Sequence, residues 1–166
     1  MEIWVLRHAK AEKATSATPD AERALTPGAR KTMRAAARAI ALLEPKFDAI
    51  LTSPLLRARQ TAEPVARSLG RPAPIETDAL SPFSDPKEIL RKIAKRRFSR
   101  VLVVGHMPHL GRLLGALLTG RPDTLIELKT GALARIEFAG ETPKPRGTLT
   151  LLLTSRALVR RARRRG

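Results

Sequence analysis

The residues of this sequence that could do chemistry lie in three short segments. Arg7 and His8 follow one apolar run, His106 follows another, and Arg57 lies in the segment Ser53–Ala62. The chain has only three His residues, so two of them directly after apolar runs are informative. Arginine presents planar, permanently charged donor forks to anionic oxygens, and histidine exchanges protons near neutral pH. Together such residues suit chemistry on an anionic group, such as a phosphoryl group.

The elements that must position these residues are short strands. The apolar runs Ile3–Leu6, Phe47–Leu51 and Val101–Val104 are too short for helices and predict buried strands. Helices between them are predicted by a capping residue followed by proline, as at Thr26-Pro27 and Asp85-Pro86.

Strands that alternate with helices predict an α/β fold. We expect a three-layer sandwich in which a mostly parallel central sheet is flanked by helices on both faces. Two β-like runs, residues 132–138 and 148–154, predict a hairpin with one antiparallel edge strand. Ligands of such sheets bind at the carboxyl ends of the strands, which brings the three segments to one rim.

These segments resemble the motifs of the histidine phosphatase superfamily, which is also called phosphoglycerate-mutase-like. The Arg-His pair, the segment SPLLRARQTA and the Gly-His pair occur in family order, and Arg23–Gly28 (RALTPG) is also similar to the family. The resemblance spans nearly the whole chain. The short length and the sequence RHAKA after the first strand are most similar to the SixA-type phosphohistidine phosphatases. Ala9 departs from the usual Gly of the family's Arg-His-Gly motif.

The resemblance implies that His8 is the nucleophile and becomes a phosphohistidine that water then hydrolyses. Arg7 and Arg57 would bind the phosphoryl oxygens, and His106 would be a further donor when protonated. Neighbouring cations lower the pKa of a histidine, which favours the unprotonated nucleophile. The other ring nitrogen of His8 would donate to a backbone carbonyl. Because these residues supply the positive charge, we expect no metal and no cofactor.

The motifs do not supply a general acid, for which Glu12, Asp78 and Asp85 are the candidates. An alkoxide leaving group needs a proton from such an acid, whereas the imidazole of phosphohistidine departs more easily. The 49 positions from Arg57 to His106 also leave no room for a long lid. We therefore expect a protein phosphohistidine substrate and inorganic phosphate as the product. The alternatives are a small-molecule phosphomonoesterase acting on a sugar phosphate or nucleotide, and a pseudo-enzyme that binds phosphate without turnover.

Arg59 and His109 lie close in sequence to Arg57 and His106, but we do not assign them to the site. Arg59 lies two residues after Arg57 on a predicted helix and so points elsewhere, which favours a solvent or ion-pair role. His109 lies three residues after His106, a spacing that can bind metal, but the sequence offers no clear third ligand. We interpret His109 as peripheral.

The net charge of +17, from 32 Lys and Arg against 15 Asp and Glu, also suggests binding to nucleic acid or another polyanion. Such a module would use Arg91-Lys92, Lys95–Arg97 and the Arg-rich end. Aromatic residues make up only 3% of the chain, so stacking platforms are scarce and we do not expect a nucleic-acid partner. Six Arg lie in residues 155–166, which we expect to form a solvated tail after a catalytic domain at 1–154.

Length and composition also limit the number of domains, the type of nucleophile and the association with membranes. The 166 residues suit one domain, and the lack of Cys excludes disulfides and a thiolate nucleophile. No apolar run reaches the roughly 20 residues of a membrane span, and the N-terminus does not have the pattern of a signal peptide. We expect a cytoplasmic protein without a membrane partner.

Overall fold

The computed structural model describes residues 1–43, 45–141, 143 and 146–164. It has six strands, which are β1 (Glu2–Arg7), β2 (Ala49–Thr52), β3 (Ile75–Glu76), β4 (Arg100–Gly105), β5 (Leu133–Glu137) and β6 (Thr148–Leu153). The five α-helices are α1 (Pro27–Ala41), α2 (Leu56–Ser68), α3 (Pro86–Arg96), α4 (His109–Thr119) and α5 (Ser155–Arg163). Two short 3₁₀ turns cover Asp20–Glu22 and Asp78–Leu80.

The strands form one sheet in the order β3-β2-β4-β1-β5-β6. Strands β1 to β4 are mutually parallel where they pair, and β5 runs antiparallel to both β1 and β6. The prediction of an α/β fold with a mostly parallel sheet and an antiparallel hairpin at one side is confirmed. In the register, Arg7 pairs with Gly105 and Thr52 pairs with Val104, so the carboxyl ends of β1, β2 and β4 lie together.

Helices cover both faces of the sheet because the central strands are apolar on both sides. Successive side chains of a strand point to opposite faces. Trp4 and Leu6 therefore pack with residues of α1, α2 and α5, while Ile3 and Val5 pack with residues of α3 and α4. The predicted three-layer arrangement is confirmed.

The helix starts follow the local signals in the sequence. The Thr26 hydroxyl accepts a hydrogen bond from the Ala29 amide at the start of α1, which begins with proline. The Asp85 carboxylate accepts from the Lys87 amide in the same position of α3. Each cap satisfies an amide that has no partner within its helix.

The Arg-rich end differs from the solvated tail that the sequence analysis expects. Residues 155–163 form α5, which is capped by Thr154 and packs against α1. Leu158 is fully buried in the core on that face of the sheet, and this contact outweighs the tendency of the Arg side chains to remain in solvent. Residues 165 and 166 of the expected tail lie outside the described residues. Within the described part of the chain, no helix has the length and apolar character needed to cross a membrane.

Candidate active site

The two histidines that follow β1 and β4 lie side by side. The ring centroids of His8 and His106 are 4.9 Å apart and the ring planes are inclined by 51°. The His8 amide donates to the Gly105 carbonyl at 3.0 Å, which continues the β1–β4 pairing by one residue. Strand pairing therefore fixes the separation of the two rings.

One ring nitrogen of His8 is held by a neighbouring carbonyl. Nδ1 lies 2.7 Å from the Ala9 oxygen. A carbonyl can only accept, so Nδ1 carries the hydrogen and Nε2 keeps its lone pair. Burial, together with the smaller effects of the charges of Arg57, Arg7 and Arg23, lowers the pKa of His8 to about 4 against the opposing effect of the Ala9 bond. At neutral pH His8 is therefore unprotonated, with a free lone pair on Nε2.

A buried threonine joins the His8 loop to the helix that carries Arg57. The Thr61 hydroxyl donates to the Arg57 carbonyl at 2.7 Å and accepts from the Ala9 amide at 3.1 Å. One residue earlier, the Gln60 side-chain oxygen accepts from the Leu25 amide at 2.7 Å. The Gln-Thr pair of the second motif thus fastens two loops to α2.

Arg57 is buried and is held by an aspartate. Its side chain is 5% exposed, and its two terminal nitrogens donate to the Asp20 carbonyl at 2.7 Å and to the Asp20 carboxylate at 3.0 Å. Arg23 donates to the same carboxylate at 2.7 and 2.8 Å. Partial burial would raise the pKa of Asp20, but the hydrogen bonds from both guanidinium groups hold it below its ordinary value. Asp20 is therefore a carboxylate that keeps Arg57 in place.

Arg7 is fixed by one terminal nitrogen, which donates to the Leu128 carbonyl at 2.7 Å. Its Nε, the Nε of Arg57 and the Nδ1 of His106 are buried and have no hydrogen-bond partner in the part of the chain that the structure describes. Buried polar atoms without partners are costly and uncommon in folded proteins. Those on Arg7, Arg57 and His106 suit a bound anion, although Arg59 Nε and both ring nitrogens of His109 are also buried and unpartnered among the described residues.

The ring of His106 is oriented by a serine. Its Nε2 lies 2.8 Å from the Ser53 hydroxyl, which also accepts from the Leu55 amide at 3.3 Å. A hydroxyl can donate or accept, and where it donates to Nε2 the neutral ring of His106 carries its hydrogen on Nδ1. Burial, with a smaller effect of His8, lowers the pKa of His106 to about 3. The protonated donor expected from the sequence is therefore disfavoured at neutral pH, and only the tautomer with hydrogen on Nδ1 lets the neutral ring donate from that nitrogen.

Among the described residues, none of the three general-acid candidates bonds through its carboxylate to the arginines and histidines of the site. The Asp85 carboxylate caps α3, while Asp78 and Glu12 are exposed. The carboxylate that the fold brings to Arg57 is that of Asp20, which sequence reasoning missed. Asp20 lies three residues before Arg23, just outside the segment singled out from the sequence. Because its pKa is lowered, Asp20 is poorly suited to donate a proton at neutral pH.

Arg59 and His109 lie apart from these contacts. Arg59 points to Glu76 at 3.4 Å, in agreement with the predicted ion-pair role. His109 is fully buried at the start of α4, and burial lowers its pKa to about 4. Among the residues described, no group of three or more His, Cys, Asp or Glu side chains is arranged to hold a metal ion.

Comparison with known proteins identifies relatives over most of the chain. A sequence model of the histidine phosphatase superfamily, branch 1, matches residues 3–81. An uncharacterized protein of Picosynechococcus sp. is 32% identical over 132 residues, which are 78% of this chain and 80% of that protein. The phosphohistidine phosphatase SixA of Escherichia coli K12 is 29% identical over 144 residues, or 84% of this chain and 88% of SixA.

Solved structures extend the similarity to the whole fold. The protein histidine phosphatase SixA complexed with tungstate superposes with a TM-score of 0.81 at 26% identity, covering 95% of this chain and 99% of SixA. The alpha-ribazole phosphatase of Shigella flexneri, at 18% identity, shares the fold with a TM-score of 0.69 over 93% of this chain and 97% of its own.

Proposed function

This chain belongs to the histidine phosphatase superfamily and is SixA-like, and from that premise we propose that it hydrolyses phosphohistidine on proteins. The proposed route uses His8 as the covalent nucleophile and Arg7, Arg57 and His106 as ligands of the phosphoryl oxygens. It requires neither a metal nor a cofactor, and its products are the dephosphorylated protein and inorganic phosphate.

In the first step, the lone pair of His8 Nε2 attacks phosphorus and the bond from phosphorus to the substrate histidine breaks. The substrate ring, protonated beforehand on its other nitrogen, takes the bonding electrons and leaves as neutral imidazole. His8 then carries phosphate on Nε2 and hydrogen on Nδ1, so its ring is positively charged. The carbonyl of Ala9, 2.7 Å from Nδ1, stabilises that charge.

In the second step, water attacks phosphorus and the Nε2–phosphorus bond breaks. His8 keeps the bonding electrons and returns to the neutral ring with hydrogen on Nδ1, while the protons of water remain with the phosphate that leaves. Neither step needs a proton delivered to the departing nitrogen. Charge on the phosphoryl oxygens is stabilised by the two Arg side chains and by Nδ1–H of His106.

One observation above all supports phosphohistidine over a phosphate ester. The carboxylate that contacts Arg57, that of Asp20, bonds to Arg23 and Arg57 and has a lowered pKa. An alkoxide from an ester must receive a proton as it leaves, whereas a protonated imidazole departs as a neutral molecule. A site whose carboxylate is kept ionised therefore suits a phosphoramidate.

The test compares a histidine-phosphorylated protein with para-nitrophenyl phosphate as substrates of wild-type protein and of His8→Ala. We expect a higher kcat/KM for the phosphoprotein, retained activity in a chelator, and a loss of at least about 10³-fold in His8→Ala. Faster turnover of small esters would overturn the substrate assignment and favour a small-molecule phosphatase. Full activity of His8→Ala would overturn the covalent route.

A further inference from the structure

We propose that a cationic groove between α1 and α5 docks an acidic surface of the phosphorylated protein, an inference that rests on the proposed function. The groove has a volume of about 550 Å³, and four of its lining residues are cations. They are Lys31, Arg34 and Arg38 of α1 and Arg163 of α5, and all four are exposed. This surface is called the α1–α5 groove below.

Among the described residues, no carboxylate pairs with the cations of the α1–α5 groove. Neither α1 nor α5 contains an acidic residue. Within the described ranges, none of the four cations forms an ion pair, whereas Arg23, Arg57 and Arg100 each contact a carboxylate. Positive charge that gathers in a concave surface attracts anionic partners more strongly than scattered charge does.

The groove adjoins a second cavity, which extends to the residue next to His8. A second cavity of about 360 Å³ is lined by Ala9, Gly131 and Ser155, among others, and it shares Thr32 with the α1–α5 groove. Ala9 is the residue whose carbonyl holds His8. From Thr32 to Arg38 the helix rises by about 9 Å, so a bound protein reaches the groove without leaving the surface around the site.

The lining favours an acidic protein surface over nucleic acid. It contains no aromatic side chain on which a base could stack, because its uncharged members are Thr32, Ala35, Val159 and Ala162. The neighbouring cavity, which Ala9 lines, also points to a partner that carries the phosphoryl group. Electrostatic complementarity of this kind raises association rates and selects partners.

Two synthetic phosphohistidine peptides provide the probe. In each peptide the phosphohistidine is followed by about ten identical residues, which extend up to about 33 Å. These residues are all glutamate in one peptide and all glutamine in the other. The variant is Arg34→Gln with Arg38→Gln, which are exposed and one helical turn apart on α1. The control is Arg91→Gln with Lys95→Gln, which removes the same charge from exposed positions of α3 on the opposite face of the sheet.

We expect the α1 variant to raise KM for the glutamate peptide by about fivefold to tenfold, with kcat unchanged. KM for the glutamine peptide and for para-nitrophenyl phosphate should not change, and the effect should vanish in high salt. Equal effects of the α1 and α3 variants on the glutamate peptide would overturn the docking site. The docking site would also be overturned if the α1 variant lost binding to duplex DNA but kept the wild-type KM for the glutamate peptide, because the groove would then bind nucleic acid.

The outcomes also separate this inference from the function on which it rests. If wild type hydrolyses both peptides equally well, the groove proposal is wrong and the phosphohistidine phosphatase assignment stands. If wild type hydrolyses neither peptide but turns over small phosphate esters, both proposals are wrong.

Discussion

Replacing Asp20 by Asn tests whether this carboxylate positions Arg57. The Arg57 side chain is 5% exposed, so its charge depends on fixed partners, while the Asp20 side chain is 60% exposed. The Asn oxygen can accept from one guanidinium group, but its amide hydrogens then face the other. Hydrogen bonds to charged groups are worth about 1.5–3 kcal/mol when buried, and the exposure of Asp20 reduces that to about 1–2 kcal/mol.

We therefore expect Asp20→Asn to lower the free energy of unfolding by about 1–2 kcal/mol, because one strong hydrogen bond is lost. The measurement is urea unfolding followed by the fluorescence of Trp4, the only Trp in the chain and a buried one. We also expect kcat/KM to fall about tenfold, because a displaced Arg57 stabilises the transferring phosphoryl group less well.

The matched control is Glu22→Gln, which removes the same charge from the same 3₁₀ turn. Glu22 is exposed and forms no ion pair with the residues described. If both variants behave alike, Asp20 acts only through its charge and the positioning role is refuted. If Asp20→Asn has a higher kcat/KM than wild type, Asp20 competes with the phosphoryl group for Arg57, and the positioning role is also refuted.

Three further predictions concern groups around His8. Because burial lowers the pKa of His8, His106 and His109 to about 4, about 3 and about 4, the unfolded chain binds more protons below pH 6.5. Urea unfolding should show that the free energy of unfolding is lower at pH 5 than at pH 7 by about 2 kcal/mol for each of the three histidines. Thr61→Val leaves the buried Ala9 amide unpaired and should cost about 1–3 kcal/mol in the same assay, with a lower kcat. Ser53→Ala removes the partner of His106 and should lower kcat/KM by about threefold to tenfold.

Each of these predictions has an outcome that contradicts it. Equal stability at pH 7 and pH 5 would mean that the three histidines are not kept neutral by burial. A fully stable Thr61→Val would mean that the Ala9 amide finds another partner. An unchanged kcat/KM in Ser53→Ala would mean that the orientation of the His106 ring does not depend on the hydroxyl.

Strands and helix starts could be predicted because their signals are local. An apolar run with no polar interruption, such as Val101–Val104, forms a strand that is buried on both faces. A capping side chain two or three residues before a free amide, as at Thr26 and Asp85, marks a helix start. Neither signal needs knowledge of the rest of the chain.

The candidate site could be predicted where a residue ends or follows a strand or belongs to a recognisable motif. Arg7, His8 and His106 lie at strand ends, where parallel pairing brings them together, and Arg57 lies in the motif at the start of α2. Asp20 is different, because it lies in a polar loop and its contact with Arg57 spans 37 residues of sequence. Nothing in the residues around it shows which guanidinium it will meet.

The α5 helix could not be predicted from its composition. Arg dominates Ser155–Arg163, and the periodic signal comes from Leu158 with the partly buried Val159 and Ala162. A solvated tail and an amphipathic helix share such a composition. The α1 surface that accepts Leu158 decides between them, and that surface exists only in the folded chain.

The most direct test of the covalent route is to find where phosphate resides during turnover. Wild-type protein is mixed with a phosphohistidine peptide, quenched with alkali within a turnover, and the site is located by mass spectrometry and phosphorus NMR. We predict phosphate on His8 at Nε2, because Nδ1 is held by the Ala9 carbonyl. Phosphate on Nδ1 or on another residue, or hydrolysis with no phosphoenzyme in rapid-quench experiments, would contradict the central claim.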